Sequence, residues 1–212
     1  MQRLYLVRHG ETEWNRQQRM QGSLDSPLTP EGRRHAQLNG ELLAREAIEH
    51  LFVSPLGRTR ETADVILAGH SVPITIDARL VERRCGDWEG MTIDEIATQY
   101  PDEWTARARD PFHHRPPAGE NVPDVVSRVA PFAMHVRTLS FRRLAIVSHG
   151  IAGRALLTHF LNLTPEEANQ VRQPNDLVYR LSFVDGRVDC EHFRRGEGPH
   201  PGLFLRAPEQ AA

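Results

Sequence analysis

Apolar residues follow two patterns along the chain: short unbroken runs and longer stretches with helical spacing. The runs at residues 4–7, 51–54 and 144–148 read as buried parallel strands. Each leads into polar residues or glycine and then into a helical pattern. A fourth run, 177–184, alternates in part and ends at the turn Asp185-Gly186, so residues 188–193 are expected to return beside it as a hairpin. Thr29-Pro30-Glu31-Gly32 opens a helix, with Thr29 as cap, Pro30 in the first turn and apolar positions continuing to Leu43. Ser54-Pro55 opens a second, running to about residue 67. A short helix over 92–100 should stop at Pro101, one over 122–139 should kink at Pro131, and one over 150–161 follows the third strand. Thr164-Pro165-Glu166-Glu167 starts another. Strands alternating with helices predict a three-layer α/β/α sandwich around a mainly parallel central sheet.

The length, 212 residues, suits one well-filled core. A single domain is expected over 1–195, with 101–123 as a lid or specificity loop and 196–212 as a C-terminal tail. Within the lid, residues 110–123 carry four prolines and His113-His114-Arg115. The tail, rich in Gly, Pro and Ala, reads as a loosely ordered terminus, with an arm over the core or a partner subunit as the alternative.

Composition narrows the function. Hydrophobic residues at 39% and charged residues at 25% are ordinary for a globular chain, which excludes a disordered or fibrous class. A net charge of -2 gives no basic field for nucleic acid or an anionic membrane. Every basic residue is Arg and none is Lys, a bias of composition before it is a sign of anion binding. Cys85 and Cys190 make no disulfide framework and read as free thiols in a reducing compartment. With no secretory signal pattern and no spanning run, a cytoplasmic location is expected. A homodimer and a monomer stand equal.

Candidate chemistry gathers at the strand ends. Arg8-His9-Gly10 follows the first strand and Ser148-His149-Gly150 follows the third. In open α/β sheets ligands bind beyond the carboxyl ends of strands, and glycine lets a backbone turn and a ligand approach. The second strand end opens a helix, whose N-terminus favours anions, and carries Arg58 and Arg60. Two residues apart, these point to different faces, so one reaches a site and the other is a surface charge.

These segments resemble the histidine phosphatase superfamily, the phosphoglycerate-mutase-like fold. The resemblance is carried by Arg8-His9-Gly10-Glu11-Thr12 with Asn15, Gly22-Ser23-Leu24-Asp25-Ser26-Pro27-Leu28-Thr29, Ser54-Pro55-Leu56 with Arg58 and Thr62, Leu80-Val81-Glu82 before Gly86-Asp87-Trp88-Glu89-Gly90, and Val147-Ser148-His149-Gly150. The blocks keep the family's order from residue 3 to about 160.

The resemblance implies roles. His9 would attack phosphorus and become phosphohistidine, for which an imidazole neutral at pH 7 is suited. Arg8 and Arg58 would hold the phosphate in guanidinium forks, and His149 would donate to the same oxygens. Asn15, Gln21 and the backbone at Gly22 and Gly150 would complete the cradle. Glu82 would protonate the leaving oxygen and then take a proton from water. Glu89 is a rival carboxylate, ranked lower because the family pattern places the acid before Gly-Asp-Trp. No metal and no cofactor are called for, and His113-His114 lack the companions of a metal site.

The family holds both phosphatases and mutases. The stretch between Glu82 and His149 lacks the basic, Arg-Arg-containing insertion of the mutases, so hydrolysis of a small phosphate monoester is expected. A bisphosphoglycerate-dependent mutase and a non-catalytic phospho-ligand binder are the alternatives. Val81 stands where Arg is common, and Asn121 follows Gly119-Glu120 where Ser is usual, both bearing on substrate fit. Trp104, Phe112, His113, His114 and Arg115 are expected at the entrance, with Arg115 meeting a carboxylate or second phosphate.

Overall fold

The computed structural model describes residues 2–206. The first strand, β1 (Gln2–Arg8), is buried on both sides, and successive side chains serve opposite layers. Leu4 and Leu6 enter one hydrophobic cluster, Tyr5 and Val7 the other. After β1 come a short α1 (Glu13–Arg16), then α2 (Pro30–Arg45), β2 (His50–Val53), α3 (Gly57–Ile66) and β3 (Ile74–Ile76). Thr29 caps α2 by accepting from the Gly32 N–H, with Pro30 at its first turn, as the sequence predicts.

Next are α4 (Ile93–Gln99), α5 (Pro101–Arg109), α6 (Val122–Thr138), β4 (Arg143–Ser148), α7 (Gly150–Leu161) and α8 (Pro165–Gln170). The chain finishes its described part with β5 (Leu177–Val184), β6 (Arg187–Arg194) and β7 (Glu197–Pro201). The sheet order is β3-β2-β4-β1-β5-β6-β7. The first four are parallel neighbours, and β5, β6 and β7 add antiparallel. Asp185 and Gly186, both at positive φ, make the tight turn that forces β6 back along β5. Helices α2 and α3 cover one face; α6 and α7 cover the other, where Val129, Phe132, Leu156 and Phe160 are fully buried. No helix among the described residues is long and apolar enough to cross a membrane.

The helix expected over 92–100 does stop before Pro101, since α4 ends at Gln99; Pro101 then begins a further helix, α5, because a proline at the first helical position gives up an N–H that has no partner there anyway. The segment 101–123 is therefore half helix. Helix α6 continues through Pro131 to Thr138. The tail is not simply loose. Residues 197–201 form the edge strand β7, and Leu203 and Phe204 pack on the core, so the arm reading holds for this part. Residues 207–212 lie outside the described residues.

Candidate active site

β1, β2 and β4 are adjacent in space, so their carboxyl ends bring His9, Ser54 and His149 together. The rings of His9 and His149 lie 5.3 Å apart. Nδ1 of His9 is 2.8 Å from the Gly10 carbonyl oxygen. A carbonyl only accepts, so Nδ1 carries the proton and Nε2 keeps its lone pair. His9 is buried, and burial together with Arg8 and Arg58 holds its pKa well below the usual 6.5, so the ring is neutral. His149 is neutral for the same reasons, burial first and then Arg58, His9 and Arg8. Its Nε2 lies 2.8 Å from Ser54 Oγ, and its Nδ1 has no partner.

The cations are held largely by backbone carbonyls, and Arg58 is paired with Asp25 as well. Arg58 is buried and donates to the carbonyls of Gly22 and Leu24 at 2.9 and 2.7 Å, and to Asp25 at 2.8 Å; its Nε has no partner. Arg8 donates to the Gln173 carbonyl at 2.9 Å, and its Nε too is unpartnered. Gly150 lies against the Arg8 guanidinium, where a Cβ would stand in ordinary contact at 3.5 Å from its carbon. Thr62 ties two motifs together: its Oγ1 accepts from the Gly10 N–H and donates to the Arg58 carbonyl.

Glu82 sits at the start of α7. Its carboxylate accepts from the N–H groups of Ile151 and Ala152, at 3.1 to 3.2 Å, and from its neighbour Arg83 N–H. These are donors that a helix N-terminus leaves without partners inside the helix. Behind it, Arg128 donates to the carbonyls of Arg79, Val81 and Glu82 and to the buried Glu120 carboxylate. That latch fixes the backbone that carries Glu82.

A cavity of about 210 Å³ is lined by Arg8, His9, Asn15, Gln21, Gly22, Arg58 and Glu82. Asn15 Oδ1 accepts from the Thr12 N–H, which leaves its amide N–H groups as donors. Gly22 has φ +53°, and a Cβ there would collide with the Glu89 carboxylate. Glu89 itself is spent on Ser23 and on the Cys85 N–H, a structural post rather than a rival acid. A second cavity of about 510 Å³ shares Arg8, Glu82 and Ile151 and takes in Gly150.

Arg115 is not in this group. It is half-exposed, pairs with Asp124 and donates to the Gly119 carbonyl. His113 bonds to Asp110, while His114 bonds to Glu103 and stacks on the buried Trp88 at 5.4 Å, with Trp104 against the same ring. Trp104 and His114 thus pack a small core around Trp88 instead of lining an entrance, while Phe112 packs against the exposed His113. Sequence reasoning also missed residues that the fold delivers. Arg83 and Arg107 line the 210 Å³ cavity, and Arg154 and Gln173 the larger one. Asn175 donates to the His9 carbonyl at 2.7 Å. Arg154 lies one helical turn past Gly150, the only spacing signal among them.

The family model of the histidine phosphatase superfamily (branch 1) matches residues 4–195. The probable phosphoglycerate mutase GpmB of Citrobacter koseri is 37% identical over 187 residues, covering 87% of this chain and 86% of that one. Among solved structures, the alpha-ribazole phosphatase of Shigella flexneri superposes with a TM-score of 0.84 at 26% identity, over 93% of this chain and 99% of that one. A mycobacterial glucosyl-3-phosphoglycerate phosphatase in complex with VO3 gives 0.76 at 29% identity, over 86% and 93%. The chain belongs to the histidine phosphatase superfamily, branch 1, and as an enzyme it falls with the phosphoric monoester hydrolases of that family.

Proposed function

We propose that this protein hydrolyses small phosphate monoesters through a phosphohistidine on His9, with water as the final acceptor. The observation that carries the reading is the His9–Gly10 contact, which leaves an unprotonated Nε2 in a pocket lined by Arg8, Arg58 and Glu82. In the first step Nε2 bonds to phosphorus as the ester P–O bond breaks, and Glu82 gives its proton to the leaving oxygen. In the second, water bonds to phosphorus, Glu82 takes its proton, and the P–N bond breaks to release inorganic phosphate. Charge spreads over the three equatorial oxygens during transfer, and Arg8, Arg58, His149 and the amide of Asn15 are the donors set to meet it. No step calls for a metal or a cofactor. Both cysteines are free, which suits a reducing compartment such as the cytoplasm.

A mutase is the second reading, favoured by the name of the Citrobacter koseri relative. The missing basic insertion between Glu82 and His149 supports hydrolysis instead. The test is a panel of phosphate esters with product analysis separating free phosphate from transferred phosphate, in the presence of EDTA. Acid-labile, base-stable phosphate should be trapped on the wild type and be absent from His9→Ala. Full turnover by His9→Ala overturns the covalent route, and isomerisation of 3-phosphoglycerate outrunning its hydrolysis overturns the choice of water.

A further inference from the structure

Ile151, the second residue of α7, lines three cavities at once. Two have been described. The third, of about 250 Å³, meets the first at Arg83 and Arg107 and the second at Arg154 and Arg172, with Arg206 at its outer side. Its lining has no carboxylate. Many arginines elsewhere are matched: Arg3, Arg79, Arg128 and Arg180 all pair with acids. Arg83, Arg107, Arg154 and Arg172 pair with none among the described residues. Glu82, whose charge acts on Arg154, has its oxygens taken by backbone N–H groups.

We propose that Arg83, Arg107, Arg154 and Arg172 form a second anion subsite, which receives a phosphoryl group at the far end of the substrate. The inference rests on the phosphomonoesterase reading and names its substrate class: esters carrying a second, doubly charged group.

Three observations support it. Arg83 is 7% exposed, and its Nε is buried without any partner. Its other nitrogens reach only the Glu120 carbonyl at 3.3 Å and Cys85 Sγ at 3.9 Å. A guanidinium so placed keeps donors for the oxygens of an anion. Second, these cations repel one another: burial and then Arg83 lower Arg107, while burial, against the opposing charge of Glu82 and with Arg172, Arg8 and Arg83 adding to it, pushes Arg154 down to about 10. Like charges that outnumber the one acid beside them are relieved by a bound anion. Four guanidiniums with no acid among them match a dianion better than a single carboxylate. Third, the cavities adjoin: Ile151, Arg154 and Arg172 line both the one that holds Arg8 and Glu82 and the one that holds the arginine cluster, so a substrate seated on Arg8 has the cluster beside it. The role falls to this cluster and not to Arg115, whose charge Asp124 already meets.

The test uses three esters of one chain length: an alkanediol bisphosphate, the phosphate ester of the matching hydroxy acid, and the matching alkyl monophosphate. After a factor of two for its equivalent ends, the bisphosphate should give the highest kcat/KM and the alkyl ester the lowest. The readout is the bisphosphate-to-alkyl ratio. It should fall roughly tenfold in Arg172→Ala and in Arg107→Ala, the loss of one charge-assisted contact, and recover in part in Arg172→Lys. A wild-type ratio near one, or a ratio unmoved by both variants, overturns the subsite. The hydroxy acid ester outrunning the bisphosphate overturns the phosphoryl assignment. If no ester is turned over, the hydrolase reading fails, and calorimetry decides the subsite separately. An alkylene bisphosphonate should then bind the wild type roughly tenfold more tightly than the alkylphosphonate, with that gap closing in Arg172→Ala. Equal affinity overturns it.

Discussion

Asp25 and Arg58, 33 residues apart in sequence, are joined twice: Asp25 Oδ1 accepts from the Arg58 backbone N–H at 3.2 Å and from its guanidinium at 2.8 Å. The other carboxylate oxygen accepts from the Gly57 N–H, so Asp25 also caps α3, whose own capping residue, Leu56, supplies no side-chain bond. One acid therefore fixes both the helix start and the angle of the buried cation. Asp25→Ala is expected to lower kcat/KM by roughly 10- to 100-fold, the size of a lost hydrogen bond to a charged group. The inhibition constant for inorganic phosphate should rise in parallel. Steady-state kinetics with phosphate inhibition checks this, and a variant with wild-type phosphate affinity would free Asp25 of the role.

The neutral histidines give the second prediction. The pKa of His9 and of His149 in the folded protein lies well below 6.5. Below pH 6.5 the unfolded chain binds protons at these positions and the folded chain does not. Stability is thus fully present above that pH and is lost as pH falls, by up to about 1.4 kcal/mol per pH unit for each histidine. Urea unfolding between about pH 7 and 5 should show this slope, and His149→Gln should flatten it. Arg58→Ala removes a like charge from both rings, so their pKa values should rise. The acid limb of kcat/KM should then move to higher pH.

What the sequence made legible was local. Strand ends were visible as apolar runs stopping at Arg8-His9-Gly10 and Ser148-His149-Gly150; spacing said that only one of Arg58 and Arg60 reaches inward, and the family resemblance named Arg58. Asp25 stood within a motif, yet nothing local said that its partner was Arg58. Arg115 looked like the substrate's cation because it sits in a polar, proline-rich stretch. Asp124, nine residues on, already neutralises it. The cations that do face the cavities come from a loop, from α5, from α7 and from the segment before β5, and only the tertiary fold brings such dispersed positions together. Arg115→Ala should accordingly change KM for acidic and neutral esters alike by less than about twofold. It should cost at most about 1 kcal/mol, as for other exposed ion pairs.

Glu82 should be needed in proportion to how poor the leaving group is. An alkoxide must be protonated as it departs, whereas a nitrophenolate leaves without help. Glu82→Gln keeps the size of the side chain and one acceptor oxygen for the N–H groups of Ile151 and Ala152. It is expected to slow alkyl phosphates by about 100- to 10,000-fold. A nitrophenyl ester should lose far less, unless its second step, which needs the base, becomes limiting. A burst of nitrophenol followed by slow turnover is the expected signature. Equal loss on both esters without a burst would make Glu82 a structural anchor of α7 and nothing more.

The latch behind Glu82 separates stability from chemistry. Glu120 is 6% exposed, and Arg128 meets both of its carboxylate oxygens while also gripping three backbone carbonyls from Arg79 to Glu82. Arg128→Met leaves a buried carboxylate with only the Arg84 backbone N–H, at 2.9 Å, and the more distant, exposed Arg84 guanidinium, at 3.8 Å, for company. A buried charge stripped of its partner typically costs 3–5 kcal/mol, and Arg84 should hold the loss near the low end, about 3 kcal/mol. Adding Glu120→Gln removes the stranded charge, so the double variant should regain much of that stability. The carbonyls of Arg79, Val81 and Glu82 still lack their donor, however, and the backbone beneath Glu82 stays loose. Urea unfolding should therefore recover in the double variant while the leaving-group dependence of kcat does not. If both recover together, Arg128 acts on Glu82 only through overall stability.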